Sequence, residues 1–309
     1  MILSFDTSNY TTSVCAFDQN EGIIWENRIV LHPPHGERGL RQSDVVFLHV
    51  RNFETLLASM PHRTIEQIVV SARPCPNDRS YMPCFTVGKN FALSLGACLN
   101  VPVTFYSHQE GHIMAGLYSG ACMQLLKGDF YAFHVSGGTT DLLHVTPQKT
   151  GLDIKRIGGS SDLHAGQLID RIGVMLGLEF PCGKSLEALA ETVQASRPVK
   201  VSVRGNEFHF SGFENQAKAL LEQHIPHAEI ARFALDAIAK TLHAEIAELR
   251  SAGTEKPILF AGGVMSNRYI AKYLIKRNKK IYFSAPEYAT DNALGNAVLH
   301  TYLNFPQKN

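Results

Sequence analysis

The opening order of predicted elements, three strands followed by a helix, occurs twice along the chain. In the first half, apolar and alternating patterns predict strands at 1–5, 12–17, 23–31, 65–71 and 101–106, with helices at 43–60 and 85–99. In the second half they predict strands at 131–136, 141–146, 152–157, 257–260 and 280–284, with helices at 162–176, 185–195, 227–250, from 266 onward and at 291–303. Two halves that each open with a hairpin-rich sheet and continue with alternating strands and helices predict a duplicated α/β fold.

We expect the two halves to form two lobes with a nucleotide cleft between them, because ligands of such folds bind where strands end. The first predicted lobe covers 1–127 and is joined by the closing helix at 292–309. The second covers 128–291 and is the expected nucleotide- and metal-binding lobe.

The charge balance argues against a chain that grips a long phosphate backbone by itself. Lys and Arg number 29 and Asp and Glu 28, a net charge of +1, whereas unaided affinity for nucleic acid comes from many uncompensated cations. The 45% hydrophobic content is enough for a sizeable core, yet no apolar run approaches the ~18 residues that span a membrane. The first residues lack a signal-peptide pattern and the six cysteines form no C-x-x-C pair, so we expect a cytoplasmic protein.

Three short loops at predicted strand ends contain residues that suit a nucleotide. They are Asp6-Thr7-Ser8, the glycine loop 136–140, and the segment 261–264, which leads into a helix near Asn267. Glycine lets the backbone approach a ligand closely, and free N–H groups at a helix start attract phosphate. Each Gly-Gly pair alone is also typical of an ordinary tight turn. Three such loops in matching positions favour a nucleotide between the halves.

His108 and His112 stand four residues apart at the predicted start of a helix. This spacing places both rings on one face, where two imidazoles can share a metal ion. With 14 histidines in the chain the spacing alone is weak evidence, and two surface histidines are the alternative. A zinc protease needs a glutamate directly after the first histidine. That position is Gln109, and Glu110 is turned off the histidine face, so the pair does not indicate a protease.

An ordered set of short motifs covers nearly the whole chain. In chain order they are Asp-Thr-Ser, H-x-E-G-H, V-S-G-G followed by threonine, a helix with Gly and Asp-Arg, Gly-Leu-x-x-Pro-x-Gly, F-S-G, A-G-G-V-x-x-N and T-D-N. The set resembles the TsaD family of tRNA adenosine threonylcarbamoyl transferases, formerly called glycoproteases. The resemblance implies the actin-like ATPase (ASKHA) fold, in agreement with the duplicated order of elements. It also implies transfer of a threonylcarbamoyl group from threonylcarbamoyl-AMP to a tRNA adenosine.

The resemblance implies two groups of binding residues. One divalent metal ion, iron or zinc, would be held by His108, His112 and Asp291, with Asp291 opening the last helix. His134 is either a fourth ligand or an inward-facing strand residue with a satisfied hydrogen bond. An adenine nucleotide (ATP, AMP or an acyl-adenylate) would be held by Val135, Ser136, Gly137, Gly138, Thr139, Asp170, Gly183 and Asn267. Asp170 would accept the ribose hydroxyls, although by itself it is also typical of a helix-surface carboxylate.

The chain departs from the family pattern on the expected acceptor side. The first loop has no carboxylate where the family has Asp-Glu, and Gln167 stands where a glutamate is usual. The segments 35–43 and 73–81 differ from the usual sequence of the family and contain additional arginines. Arginine suits carboxylate or phosphate groups but is also typical of solvated loops. The resulting candidate acceptor-side residues are Asn9, Arg38, Arg41, Arg73 and Arg79. These departures suggest a diverged paralogue.

Three functional hypotheses remain open from the sequence. The first is a transferase of the TsaD type, which the resemblance implies works with a TsaB-like paralogue and a TsaE-like ATPase; tRNA is a partner that the charge does not support. The second is a diverged paralogue that transfers a carbamoyl-type group to another acceptor, or a non-catalytic nucleotide-binding scaffold. The third is a small-molecule kinase of the same fold, for which Asp6 and Asp141 are the candidate catalytic residues.

Overall fold

The computed structural model describes residues 1–8, 10–32, 40–77, 79–194, 197–251, 253 and 255–305. The chain divides into two compact units. The first is Met1–Met123, Thr146–Ile154 and Thr290–Asn309, and the second is Gln124–Val145 and Lys155–Ala289. Compared with the predicted lobes, Thr146–Ile154 and Asp291 group with the first unit and residues 124–127 with the second. The reason is local bonding: the Leu152 N–H donates to Glu110 Oε1 at 3.0 Å, and Asp291 Oδ1 lies 3.1 Å from His112 Nε2.

Each unit combines one mixed sheet with helices. Within the described residues the strands are β1 (Ile2–Asp6), β2 (Thr11–Asp18), β3 (Gly22–Val30), β4 (Gln67–Arg73), β5 (Val103–Ser107), β6 (Phe130–Val135), β7 (Thr140–Gln148), β8 (Gly151–Ser160), β9 (Val203–Arg204), β10 (Glu207–Phe208), β11 (Ile258–Ala261) and β12 (Ile281–Phe283). The helices are α1 (Gln42–Leu57), α2 (Cys84–Leu99), α3 (His108–Ser119), α4 (Ala165–Met175), α5 (Gly183–Glu191), α6 (Ser211–Glu222), α7 (His227–Ser251), α8 (Arg268–Ile275) and α9 (Leu294–Asn304). None of the described helices combines the length and the apolar character needed to cross a membrane.

The sheet of the first unit has the strand order β3-β2-β1-β4-β5. β1 is antiparallel to β2 and parallel to β4, which is in turn parallel to β5. The carboxyl ends of β1 and β5 therefore lie at the same edge of the sheet, where Asp6 and Ser107 are the last strand residues. Phe5 anchors this edge through ring contacts with Phe53 and Phe91, at centroid distances of 5.7 and 5.4 Å.

The sheet of the second unit has the order β12-β11-β6-β7-β8-β10-β9. β11 runs parallel to both β6 and β12. Phe260 of β11 stacks between Phe133 of β6 and Phe283 of β12, with centroids 5.0 Å apart on each side. Because β6 and β11 are parallel neighbours, the loops that follow them leave the sheet at one edge.

Most predicted elements are present, with shifts of a few residues at their ends. No pattern predicts the β9–β10 hairpin or α6. The latter begins inside the F-S-G motif, where glycine is typical of a loop, and nevertheless buries Phe213 and Ala217. The predicted helix start at Ser266 is wrong, because a 3₁₀ turn, Gly263–Ser266, precedes α8, which begins at Arg268.

Glu245 is a buried carboxyl group in the middle of α7. Neither of its carboxyl oxygens has a hydrogen-bond partner within the part of the chain that the structure describes. Burial, followed by the nearby carboxylates of Glu248 and Glu207, raises the pKa of Glu245 to about 7 from its ordinary value of 4.5. The folded second unit therefore favours the neutral form of this side chain.

A raised carboxyl pKa makes stability fall as the pH rises. Between about pH 4.5 and 7 the folded state holds a proton on Glu245 that the unfolded chain has released, so the free energy of unfolding decreases across this window and is level above it. We expect Glu245→Gln, which removes the charge, to stabilise the protein at pH 8 by roughly 1–3 kcal/mol and to have little effect at pH 4.5. Denaturant titrations at both pH values measure this, with Glu222→Gln at the exposed end of α6 as control. An equal effect at both pH values would contradict it.

Candidate functional site

Helix α3 carries the histidine pair, and its first turn is firmly held. Ser107 is the N-cap, its hydroxyl accepting from the Glu110 N–H at 3.2 Å while Glu110 Oε2 accepts from the Ser107 N–H at 2.8 Å. Such a capping box fixes where a helix begins. The other oxygen of the buried Glu110 carboxylate accepts from the Leu152 N–H. Glu110 is thus occupied by backbone and cap contacts, as expected of a residue turned off the histidine face.

Asp291 reaches the histidines from the turn before α9. The prediction that Asp291 opens the last helix is wrong, because α9 begins at Leu294. Asn292 closes this turn instead: its Nδ2 donates to the Thr290 carbonyl at 2.8 Å and its Oδ1 accepts from the Gly295 N–H at 3.4 Å. The carboxylate therefore sits beside the helix start rather than in its first turn.

His108, His112 and Asp291 form the one group among the described residues with the composition and spacing of a metal site. Their ligand atoms all lie within 4.8 Å of one another. Asp291 Oδ1 is 3.1 Å from His112 Nε2 and 3.5 Å from His108 Nε2, and the two rings are 4.3 Å apart at a steep angle of 75°. Two imidazole nitrogens and a carboxylate oxygen are a donor set that suits zinc or iron.

Asp6 supports this cluster from the end of β1. Its Oδ2 lies 2.9 Å from His108 Nδ1, the nitrogen on the far side of the ring from Asp291, and the carboxylate is buried. A carboxylate that accepts from one nitrogen of a histidine leaves the other nitrogen for a metal ion. The sequence places Asp6 in the first loop but does not reveal this contact. A prediction that β1, β4 and β5 run parallel would have indicated this contact, because the carboxyl ends of parallel strands lie together.

The electrostatics of the cluster are those of two carboxylates around an imidazole. Burial alone would lower the pKa of His108, but Asp6 and Asp291 raise it to about 10. Burial would raise the pKa values of Asp6 and Asp291, but contacts with His108, and for Asp291 also with His112, hold both below their ordinary value. The two carboxylates therefore require a positive charge, which a protonated imidazole or a bound cation can supply.

The predicted nucleotide loop after β6 is part of a close-packed corner of the second unit. A Cβ on Gly262 would lie 2.3 Å from the Val135 carbonyl oxygen, and Gly262 has φ of +99°. A Cβ on Gly166 in α4 would lie 2.6 Å from Gly137 Cα. The loops after β6 and β11 and the start of α4 therefore meet only because glycine occupies these positions. Gly137 and Gly138 themselves are exposed at the tip, with open space where their side chains would stand. The Thr139 carbonyl closes the loop by accepting from the Ser136 N–H at 2.7 Å.

The remaining predicted nucleotide residues cluster around α5 and α8. Asp170 Oδ1 accepts from the Cys182 N–H at 2.8 Å, next to Gly183 at the start of α5, and burial raises the Asp170 pKa. Asn267 is nearly buried and caps α8 by accepting from the Ile270 N–H at 3.0 Å.

The expectation of free N–H groups at the start of α8 is wrong. Glu187 Oε1 accepts from the Arg268 and Tyr269 N–H groups at 2.7 and 3.2 Å. A carboxylate from α5 thus occupies the position that a phosphate would need. Of the three predicted loops, this leaves the glycine loop after β6 as the one whose tip is open.

The other predicted residues are placed as follows. His134 lies on β6 of the second unit, and its role as a fourth ligand stays a prediction. Arg73 ends β4 and pairs with Ser107, the residue before His108. Arg41 and Arg79 are exposed, and Asn9 and Arg38 lie outside the described residues.

The family assignment follows from the sequence profile of TsaD, tRNA N6-adenosine threonylcarbamoyltransferase, which matches residues 56–298. This match covers well over half of the chain and includes the whole cluster of His108, His112 and Asp291. The chain belongs to the TsaD family. The TsaD assignment confirms the resemblance drawn from the ordered motifs, and it supports a transferase.

Solved structures show the fold of this TsaD-family chain. HypF of T. kodakarensis is 14% identical with a TM-score of 0.61, over 97% of this chain and 47% of that one, so the chain spans about half of HypF. Component A of the Acidaminococcus fermentans (R)-2-hydroxyglutaryl-CoA dehydratase is 14% identical with a TM-score of 0.57, over 98% of both chains. The activator of the Clostridium difficile 2-hydroxyisocaproyl-CoA dehydratase, with bound ADPNP, is 13% identical with a TM-score of 0.55, over 100% of this chain and 98% of that one. The predicted actin-like ATPase fold is confirmed.

Proposed function

We propose that this chain is a metal- and nucleotide-dependent transferase that moves a threonylcarbamoyl group from threonylcarbamoyl-AMP to a tRNA adenosine. The observation that carries the proposal is the partly buried cluster of His108, His112 and Asp291, with His108 held by Asp6, in a member of the TsaD family. The similarity to HypF concerns the fold and gives no information about the substrate.

The residues present fit one divalent iron or zinc ion. Both Nε2 atoms and the Asp291 carboxylate face one point, and the Asp6 contact keeps the proton of His108 on Nδ1. When bound, such an ion acts as a Lewis acid toward a carbonyl oxygen or anchors the acceptor. His112 is 6% exposed, so its ring is shielded from solvent. Such shielding strengthens its interaction with any charge at the site.

The adenylate half of the donor would bind in the second unit. The exposed loop tip at Gly137 and Gly138 has open space where side chains would stand, so a phosphate can approach the backbone there. The Gly138 N–H donates to Ser136 Oγ at 3.3 Å, a contact that a phosphate would have to replace. Asp170 uses Oδ1 for the Cys182 N–H, which leaves Oδ2 to accept from a ribose hydroxyl. Asn267 uses its oxygen as the helix cap, so its NH₂ group is the part available to a nucleotide.

A second candidate function is carbamoyl-type transfer to a different, anionic acceptor. It is favoured by the sequence 7–12, where Tyr10 and Thr11 stand in place of the family's Asp-Glu pair and no carboxylate is present. A loss of one or two charges at a reacting centre can remove several kcal/mol of transition-state stabilisation. A non-catalytic scaffold remains the alternative that an absent metal would favour.

Nucleoside analysis of tRNA tests the acceptor. In a strain depleted of its own threonylcarbamoyl transferase, we expect this chain alone to restore little threonylcarbamoyladenosine. Co-expression with a TsaB-like paralogue and a TsaE-like ATPase should restore it, because the net charge of +1 provides little grip on RNA. His112→Ala with the same partners is the inactive control. No restoration in any combination would favour the anionic acceptor over tRNA.

Asp170→Ala tests the nucleotide site. We expect it to weaken AMP or ATP binding by roughly 1–3 kcal/mol, the usual effect of losing a charged hydrogen-bond partner. Calorimetry on the purified protein measures this, and Glu222→Ala is the control because that side chain lies exposed at the end of α6. Wild-type protein that binds no adenine nucleotide at millimolar concentration would contradict the assignment.

A further inference from the structure

A buried hydrogen-bond chain leads from α9 to the back of His108. Asn296 Nδ2 donates to Ser71 Oγ at 2.7 Å, and the Ser71 hydroxyl donates to Asp6 Oδ2. The same Asp6 oxygen faces His108 Nδ1 at 2.9 Å. Asn296, Ser71 and Asp6 are each at most 1% exposed, so every link of the chain is shielded from bulk solvent.

The chain has a direction that its chemistry fixes. The Asn296 NH₂ group can only donate, so Ser71 must accept from it and turn its single hydroxyl proton toward Asp6. Asp6 has no proton of its own to give when ionised, so its Oδ2 accepts both from Ser71 and from His108 Nδ1–H. When a bound cation takes the place of the second imidazole proton, the lone pair of His108 lies on Nε2, the nitrogen that faces Asp291.

Asn296 is held in this orientation at a cost. Its Oδ1 is buried and has no hydrogen-bond partner within the described ranges, and it lies where a Cβ on Gly111 would be 3.0 Å away. An unsatisfied buried amide oxygen is destabilising, and native proteins retain few of them. Rotating the amide by 180° would present Oδ1 to Ser71 and reverse the hydrogen bond there. The fold therefore keeps the donating end toward Ser71 although the other end is unpaired.

We propose that Asn296 is a positioning residue of the metal centre, acting through Ser71 and Asp6 to keep the proton of His108 on Nδ1 and Nε2 free for the ion. This inference rests on the proposed function, because it requires that the cluster bind a metal. Asn296 touches neither the ion nor a substrate in this role. It sets the tautomer and ring orientation of one ligand.

The test is a double-mutant cycle on metal affinity. Zn²⁺ dissociation constants are measured by chelator competition for wild type, Ser71→Ala, Asn296→Ala and the double variant. Outer-shell changes weaken metal binding by about 10–100-fold. We expect each single variant to bind Zn²⁺ at least 10-fold more weakly and the double variant to be no worse than the weaker single one, since all act through one chain. The visible spectrum of the Co²⁺ form should shift in the same three variants.

Controls separate this role from general destabilisation. Asn304→Ala, at the exposed end of the same helix, should leave the Zn²⁺ affinity unchanged. Effects of Ser71→Ala and Asn296→Ala that multiply in the double variant would overturn the inference, and so would unchanged affinity in Ser71→Ala. Wild-type protein that binds neither Zn²⁺ nor Co²⁺ would overturn the proposed metal centre itself, whereas wild-type affinity in all variants would overturn only the role of Asn296.

Discussion

Replacing His112 with alanine is expected to remove bound metal from the protein. The variant loses one of the three ligands, the Nε2 atom of His112. The two ligand atoms that remain, His108 Nε2 and Asp291 Oδ1, lie 3.5 Å apart and cannot hold an ion tightly by themselves. Elemental analysis after loading with Zn²⁺ or Fe²⁺ should give about one ion per chain in wild type and less than a tenth of that in the variant, a loss on the order of 10-fold or more.

A matched histidine change defines the background for this measurement. His227→Ala, at the exposed start of α7, removes an imidazole that can bind metal weakly from solution. It should retain the wild-type metal content. Equal metal in wild type and His112→Ala would overturn the assignment of the ligand set, and no metal in any of the three proteins would favour the non-catalytic scaffold.

The second large effect is expected from Gly295→Ala, where α9 crosses α3. A Cβ at Gly295 would lie 1.8 Å from the Gly111 carbonyl oxygen and 2.9 Å from the Ala115 N atom, so the two helices would have to move apart. Backbone atoms cannot rotate away as a flexible side chain would, and overpacking of this kind destabilises by about 1–3 kcal/mol or more. Because His112 lies on α3 and Asp291 precedes α9, the same displacement should also weaken metal binding.

Gly212→Ala is the matched control for Gly295→Ala. Gly212 also lies in a helix, α6, but has open space where a Cβ would stand. Alanine there should be neutral or stabilising by up to about 1 kcal/mol, since it restricts the unfolded chain. Chemical denaturation and metal content are measured for both variants. A Gly295→Ala protein as stable as wild type would show that the α3–α9 contact is softer than this packing implies.

Part of the fold and of the candidate site could be predicted from sequence. The order of elements predicts the duplicated α/β class because periodicity is a local property of the chain. The spacing of His108 and His112 places both rings on one face of α3 for the same reason. The ordered motifs of the family, and not any local pattern, predict Asp291 as a ligand, since it lies 179 residues after His112.

The supporting contacts could not be predicted in this way. Asp6 meets His108 across 102 residues and Asn296 meets Ser71 across 225, and both contacts depend on how strands and helices pack. The start of α8 shows the converse. Its sequence is typical of a phosphate-binding helix start, yet Glu187 from α5 already bonds to its N–H groups.

The discontinuous first unit bears on how the protein matures during synthesis. The two histidines leave the ribosome long before Asp291. The segment 155–289 of the second unit, 135 residues long, is made in between, so the third ligand arrives only after it. Long-range closure of this kind is slow and comes late in folding. A nascent chain ending before residue 290 would expose the Gly111 side of α3 and lack a complete ligand set. Tight metal capture by ribosome-bound chains of increasing length would therefore mark the moment at which the first unit closes.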